Sequence, residues 1–146
     1  MSVKLRIIHI LSLLLLASPG CKKETTFVAP TLDTRMFGNW NFIGFQDPND
    51  TLVTLHPGES INLTITSDGR FSGIADCNNY GGYFYFEPDG LIQVNRFFVT
   101  ADGCFPLVSL DGYIQGWDSA KTVEVAEDSL YIIYGTQNSK LVFTRE

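Results

Sequence analysis

The sequence predicts a mainly β domain: a strongly curved or barrel-like antiparallel sheet with one helix packed against it, over about residues 109–121. Three observations carry this. Apolar and polar residues alternate with a period of two in one short run after another, each bounded by turn residues. Aromatic residues make up 13% of the chain, and large rings suit pleated, half-buried strands. A single stretch switches to helical spacing.

Taken in order, Trp40 to Phe45 reads as the first strand and Leu52 to Leu55 as a shorter one. Ile61, Leu63 and Ile65 alternate with Asn62, Thr64 and Thr66, giving a strand with one polar face. Asp68-Gly69 is a hairpin turn, and Phe71 to Ala75 is the returning strand. A second hairpin runs from Tyr83-Phe84-Tyr85-Phe86 through Pro88-Asp89-Gly90 to Leu91-Ile92-Gln93-Val94. Leu110, Tyr113, Ile114, Trp117 and Lys121 then share one helical face. Ser109 is the expected N-cap and Asp111 lies in the first turn, where negative charge is favoured. Gly112 and Gly116 each weaken that helix by up to about 1 kcal/mol, so packing must hold it. Thr122 to Ala126, Leu130 to Tyr134 and Leu141 to Thr144 form a closing meander, with turns at Glu127-Asp128-Ser129 and Thr136 to Ser139.

Ahead of this domain the character changes. Lys4 and Arg6 precede an apolar run from Ile7 to Ala17, interrupted by His9 and Ser12. That run is shorter than the ~20 residues a membrane span takes and has the flanks of a signal peptide, assigned to residues 1–20. Ser18-Pro19-Gly20-Cys21 resembles a lipobox, in which the Cys21 thiol receives a diacylglyceryl group and becomes the new N-terminus. Ser18 departs from the usual Leu three places before the Cys. The rival, cleavage after Gly20, leaves Cys21 as a reactive free thiol on a secreted chain. Residues 21–35, polar and Thr-rich with Pro30, read as a lipidated N-terminus and tether, and 36–146 as the domain. The expected location is the cell envelope, on a membrane through the lipid, with the outer membrane favoured.

The cysteine count fits an oxidising compartment. With Cys21 acylated, Cys77 and Cys104 remain as an even pair. A disulfide between them contributes roughly 3 to 4 kcal/mol in the chain-entropy treatment. Two Cys with His56 as the other soft ligand are too sparse for zinc, so no metal is expected. The net charge of −6 repels phosphates, and Lys4 and Arg6 fall in the leader, leaving the rest more acidic still. Nucleic-acid binding is excluded on that ground. The chain carries no phosphate loop, nucleophile elbow or other cofactor motif, and no cofactor is expected.

The run FSGIADCNNYGGYFYF resembles the signature of META-domain (HslJ-like) proteins, through Phe71, Gly73, Cys77, Asn78, Tyr80, Gly82 and Tyr83. Thr100 with Cys104, the final Leu141, Phe143 and Arg145, and the opening Gly38-x-Trp40 continue the likeness over about Met36 to Glu146. Asp76 stands where a small residue is common, and the stretch from Phe105 to Ser109 matches no fixed pattern. The resemblance implies a secreted or envelope protein linked to stress tolerance, antibiotic resistance or secretion, with no agreed catalytic activity.

Candidate residues are therefore weighed on their own chemistry. Asn78, Asn79 and Tyr80 read as a pocket floor or, more simply, as a sharp turn that Gly81 and Gly82 permit. Asp76 and Asp102 flank the two cysteines and define the alternative function, a small hydrolase using carboxylates near the disulfide turn. The leading reading is a non-catalytic binding module for an envelope protein or a small apolar ligand. Its candidate surface is Asn78, Tyr80, Tyr83 and Tyr85, because Tyr83 to Phe86 places rings on both faces of one strand and a single helix offers limited cover.

Overall fold

A computed structural model describes residues 33–87, 91–101 and 109–146. Cys21 and the leader, the Pro88-Asp89-Gly90 turn, Asp102 and Cys104 lie outside the described residues. Thr34–Met36 forms a short 3-10 turn that folds onto the domain, inside what the sequence reads as the end of the tether. Its Met36 is buried and accepts the Trp40 indole N–H through its carbonyl at 2.9 Å.

Nine strands follow among the described residues: β1 Gly38–Gln46, β2 Leu52–Thr54, β3 Asn62–Ile65, β4 Arg70–Ala75, β5 Asn78–Phe86, β6 Ile92–Val99, β7 Ala120–Ala126, β8 Ser129–Tyr134 and β9 Ser139–Arg145. One helix, α1 Leu110–Asp118, lies between β6 and β7. All pairings are antiparallel, in the order β6-β5-β4-β3-β1-β9-β8-β7, with β2 added to the far half of β1. The two ends of this sheet, β6 and β7, come back to face one another without pairing, and α1 packs on β6, β8 and β9. The fold is thus the nearly closed barrel with one helix that the pattern predicts.

Curvature has local causes. A bulge puts one extra residue into β1 at Ile43, into β6 at Arg96 and into β7 at Lys121. Each such insertion bends its strand and raises the local twist. Arg96 reaches the left-handed region (φ 53°) to do so. The sequence pattern ends this strand at Val94; the bulge restarts the alternation and carries β6 to Val99.

The helix differs from expectation at both ends. It spans 110–118, and Lys121 belongs to β7. Ser109 makes no capping bond to its own helix. Its hydroxyl instead donates to Glu59 Oε2 at 2.6 Å, and its N–H reaches Glu59 Oε1 at 3.3 Å, so the acidic partner at the helix start comes from 50 residues away. Gly116 is needed for space: a Cβ there would stand 2.7 Å from Leu141 Cδ2 on β9. The helix therefore sits closer to the sheet than any larger residue allows. Trp117 and Tyr113 project from this face into a core shared with Phe42, Phe71, Phe84 and Phe143.

Candidate binding surface

The β4–β5 hairpin places the motif residues. Its two-residue turn is Asp76-Cys77, with Asp76 in the left-handed region (φ 58°) and Ala75 facing Asn78. The Asn pair is thus strand and not turn, and the turn falls two residues earlier than the sequence suggests. From Asn78 the alternation sends Asn78, Tyr80, Gly82 and Phe84 inward and leaves Tyr83 and Tyr85 outside.

Tyr80 is 1% exposed, which removes it from the candidate surface, and Asn78 is buried too. Tyr80 faces Gly73 across the hairpin, and its hydroxyl lies 2.5 Å from the carbonyl oxygen of Asn62. A carbonyl can only accept, so Tyr80 donates there, and the Tyr113 hydroxyl donates to the Tyr80 oxygen at 2.7 Å. Burial pushes both phenols above the ordinary value of about 10. Stability contributed by such raised groups is complete below pH ~10 and is lost above it, because the unfolded tyrosines release protons that the fold retains. Alkaline denaturation curves should therefore fall from about pH 10 upward. Tyr113→Phe should make that fall shallower by up to about 1.4 kcal/mol per pH unit. An unchanged alkaline slope in the variant would place the sensitivity elsewhere.

The remaining motif residues are also structural. Phe71 lies over Gly82, where a Cβ would stand 2.7 Å from its ring. Thr100 ties the end of β6 to β5, its N–H donating to the Asn79 carbonyl at 2.8 Å and its hydroxyl accepting the Asn79 N–H at 3.0 Å. Arg145 stacks 4.1 Å above the Trp40 ring and donates to the Arg35 and Phe37 carbonyls, fastening the entry of the chain. Cys77 occupies the β4–β5 turn, and its expected partner lies outside the described residues, as does the Asp102 half of the carboxylate pair.

On the outer wall, Tyr83 and Tyr85 stand where the surface reading requires. Tyr85 is 50% exposed and Tyr83 half-buried. Two residues the sequence reading passed over join them. Phe98 is 53% exposed and lies beside Gly81, its ring carbons 3.1–3.2 Å from where a Cβ would stand. Arg70 holds its guanidinium 5.6 Å above the Tyr83 ring while pairing with Asp68 at 3.1 Å. Between them is a groove of about 310 Å³, lined also by Thr66 and Ser72. The Thr66 hydroxyl, first among its partners, holds the exposed Asp68 carboxyl below the usual range. Phe98 is illegible in the sequence because the alternation breaks at the Arg96 bulge ahead of it. A second concavity, about 370 Å³, opens among Phe45, Val53, His56, Ser109, Gly112 and Tyr134.

Residues 34–146 match the META domain. The chain belongs to the META-domain family. Among solved structures, the domain is similar to a protein from Burkholderia xenovorans determined by NMR, at 20% identity and TM-score 0.60, over 75% of this chain and 81% of that one. It is also similar to a DUF4847 family protein from Bacteroides vulgatus, at 15% identity and TM-score 0.56, over 77% of this chain and 96% of the other. Both likenesses concern the fold. No curated protein matches the chain significantly. The META signature residues Phe71, Gly73, Tyr80 and Gly82 build the barrel wall and its core, while Tyr83 stands half-buried at the outer groove, which Phe71 and Gly82 also border.

Proposed function

We propose that this META-domain protein is an envelope lipoprotein, anchored through Cys21 and stapled by a Cys77–Cys104 disulfide, whose domain binds a partner protein without catalysing a reaction. In the family's setting that partner belongs to envelope stress or antibiotic tolerance. One observation carries the binding reading: two large aromatic rings, Phe98 and Tyr85, remain about half exposed on one wall, next to the Tyr83 groove. Exposed aromatic surface rimmed by polar groups is what interfaces use. The groove's shallow 310 Å³ suits one or two side chains from a protein segment better than a whole drug-sized ligand. Cys77 carrying no free thiol supports the disulfide. The non-catalytic reading is supported by where the most perturbed phenols lie, since Tyr80 and Tyr113 are sealed in the core and bonded to one another.

In-cell photo-cross-linking of the full chain tests this. A benzophenone side chain at Tyr85 should give a discrete protein adduct, and the same group at exposed Glu124 should not. Phe98→Ser should abolish the adduct while changing stability by only about 0.5 kcal/mol, as surface substitutions do. Equal adducts from both positions, or none from Tyr85, overturn the surface. In the same cells Cys21→Ser should move the chain out of the membrane fraction, and its continued attachment would remove the lipid anchor from the proposal.

A further inference from the structure

The second concavity lies at the end of the barrel opposite Asp33. Strand β1 enters beside Arg145 and runs to Phe45, and β8 ends here at Tyr134. The β1–β2 hairpin projects past the wall at this mouth, with Val53 62% exposed. It lies tight on its partner at Gly44, where a Cβ would collide with the Val53 carbonyl oxygen at 2.2 Å. That closeness sets Val53 beside Phe45 as the apolar lip.

The polar side of the mouth is fixed by Glu59. Its Oε2 accepts the Ser109 hydroxyl at 2.6 Å and the His56 backbone N–H at 3.2 Å, and its Oε1 accepts the Ser109 N–H at 3.3 Å. The loop carrying His56 is thereby clamped to the start of α1. Because the Ser109 proton is committed to Glu59, the Ser109 oxygen offers the cavity only lone pairs. A group bound to that oxygen must donate. Among the described residues no Lys or Arg lines the cavity, whose other polar side chains are Thr54, His56 and Tyr134, and a carboxylate stands behind Ser109 in a chain of net charge −6, so an anion is disfavoured. Phe45, Val53 and Tyr134 supply apolar walls, and Gly112 keeps the floor open, since a Cβ there would already stand 3.3 Å from the Phe45 ring. The volume, about 370 Å³, is that of a small-molecule site.

We propose that this mouth binds a small molecule with an apolar body, one ring or a short chain, and a hydrogen-bond-donating head that bears no negative charge. The site is separate from the outer aromatic wall and stands or falls independently of it. Three probes sharing one ring test it: benzylamine, benzyl alcohol and benzoate, titrated into the ¹⁵N-labelled full chain and followed by amide chemical shifts. Benzylamine and benzyl alcohol should shift Val53, Ser109 and Gly112, and benzoate should bind at least tenfold more weakly. Gly112→Val should weaken benzylamine at least tenfold. Val53→Trp, at an exposed position that leaves the fold alone, should do the same by filling the mouth. Phe98→Ser should change nothing. Benzoate binding as tightly as benzylamine, no shift at these amides, or undiminished binding in Val53→Trp overturns the proposal.

Discussion

Trp117→Ala should cost about 3–5 kcal/mol, the range for removing a fully buried large ring. A domain of this size has about 5–15 kcal/mol in total, so melting should drop by roughly 15 °C or more. The reason is position. Trp117 has no exposed surface, stacks on Phe71 at 4.3 Å with 6° between the planes, and lies 5.5 Å from Phe84 and 6.4 Å from Phe97. It therefore joins α1 to β4, β5 and β6 at once, on the side where the barrel is not closed by hydrogen bonds. Its loss leaves a cavity that no neighbouring strand can collapse into without unpairing. Trp117→Phe separates packing from polarity. The indole Nε1 is buried and makes no hydrogen bond of good geometry among the described residues, with only a weak approach to the Tyr113 hydroxyl, so phenylalanine removes a poorly satisfied group as well as some area. That variant should lose much less, about 1 kcal/mol. If urea denaturation shows Trp117→Ala within 1 kcal/mol of the parent, the helix is not the plug described.

Trp117 was legible in the sequence because its signal is local. Tyr113 and Trp117 fall four apart on one helical face, and Ile61, Leu63 and Ile65 alternate over five residues; near neighbours in sequence decide both. The same holds for Asp68-Gly69, where Gly69 indeed takes a positive φ of 81°. The misplacement of Tyr80 came from a conflict between local and tertiary preference. Gly81-Gly82 reads as a breaker, which detached Asn78 to Tyr80 from the strand they begin. In the fold those glycines are strand residues kept small by the rings of Phe71 and Phe98. Once β5 is extended back to Asn78, parity alone puts Tyr80 inside with Phe84, and Tyr83 outside with Tyr85. Ser109 fails for a related reason. Its local pattern is that of a cap, but Glu59 reaches it across the fold, and no window of ten or twenty residues contains both. The mouth cavity is invisible for the same cause, its walls coming from β1, β2, α1 and β8. The outer wall was half legible: Tyr83 and Tyr85 were read from alternation, and Phe98 was hidden behind the Arg96 bulge.

Gly73→Ala should be as damaging as losing Trp117, although it adds a single methyl group. Gly73 points inward on β4, directly opposite Tyr80, and the Tyr80 ring occupies the place a side chain would take. A Cβ would stand 2.0 Å from the Asn62 carbonyl oxygen and 2.5 Å from the Tyr80 hydroxyl. The first of these is backbone, held in register by β3 pairing with β1 from Asn62, so it cannot swing aside as a flexible side-chain end would. Relief requires β3 and β4 to separate, and the Asn62 side chain, which accepts the Ile74 N–H at 2.9 Å, resists that movement. Overpacking costs about 1–3 kcal/mol where neighbours can yield. Here they cannot, and the Tyr80 hydroxyl would also lose its carbonyl, a further ~1–3 kcal/mol for a buried group left unsatisfied. The sum exceeds about 3 kcal/mol. Tyr80→Phe, which removes the hydroxyl and adds no bulk, should lose only the second part, about 1–3 kcal/mol, and should keep the barrel's circular dichroism. Thermal and urea unfolding of the two variants side by side checks the argument. Gly73→Ala proving no worse than Tyr80→Phe would mean that β3 and β4 can spread at this point, and the tight glycine–tyrosine contact would not be what holds the hairpin to the wall.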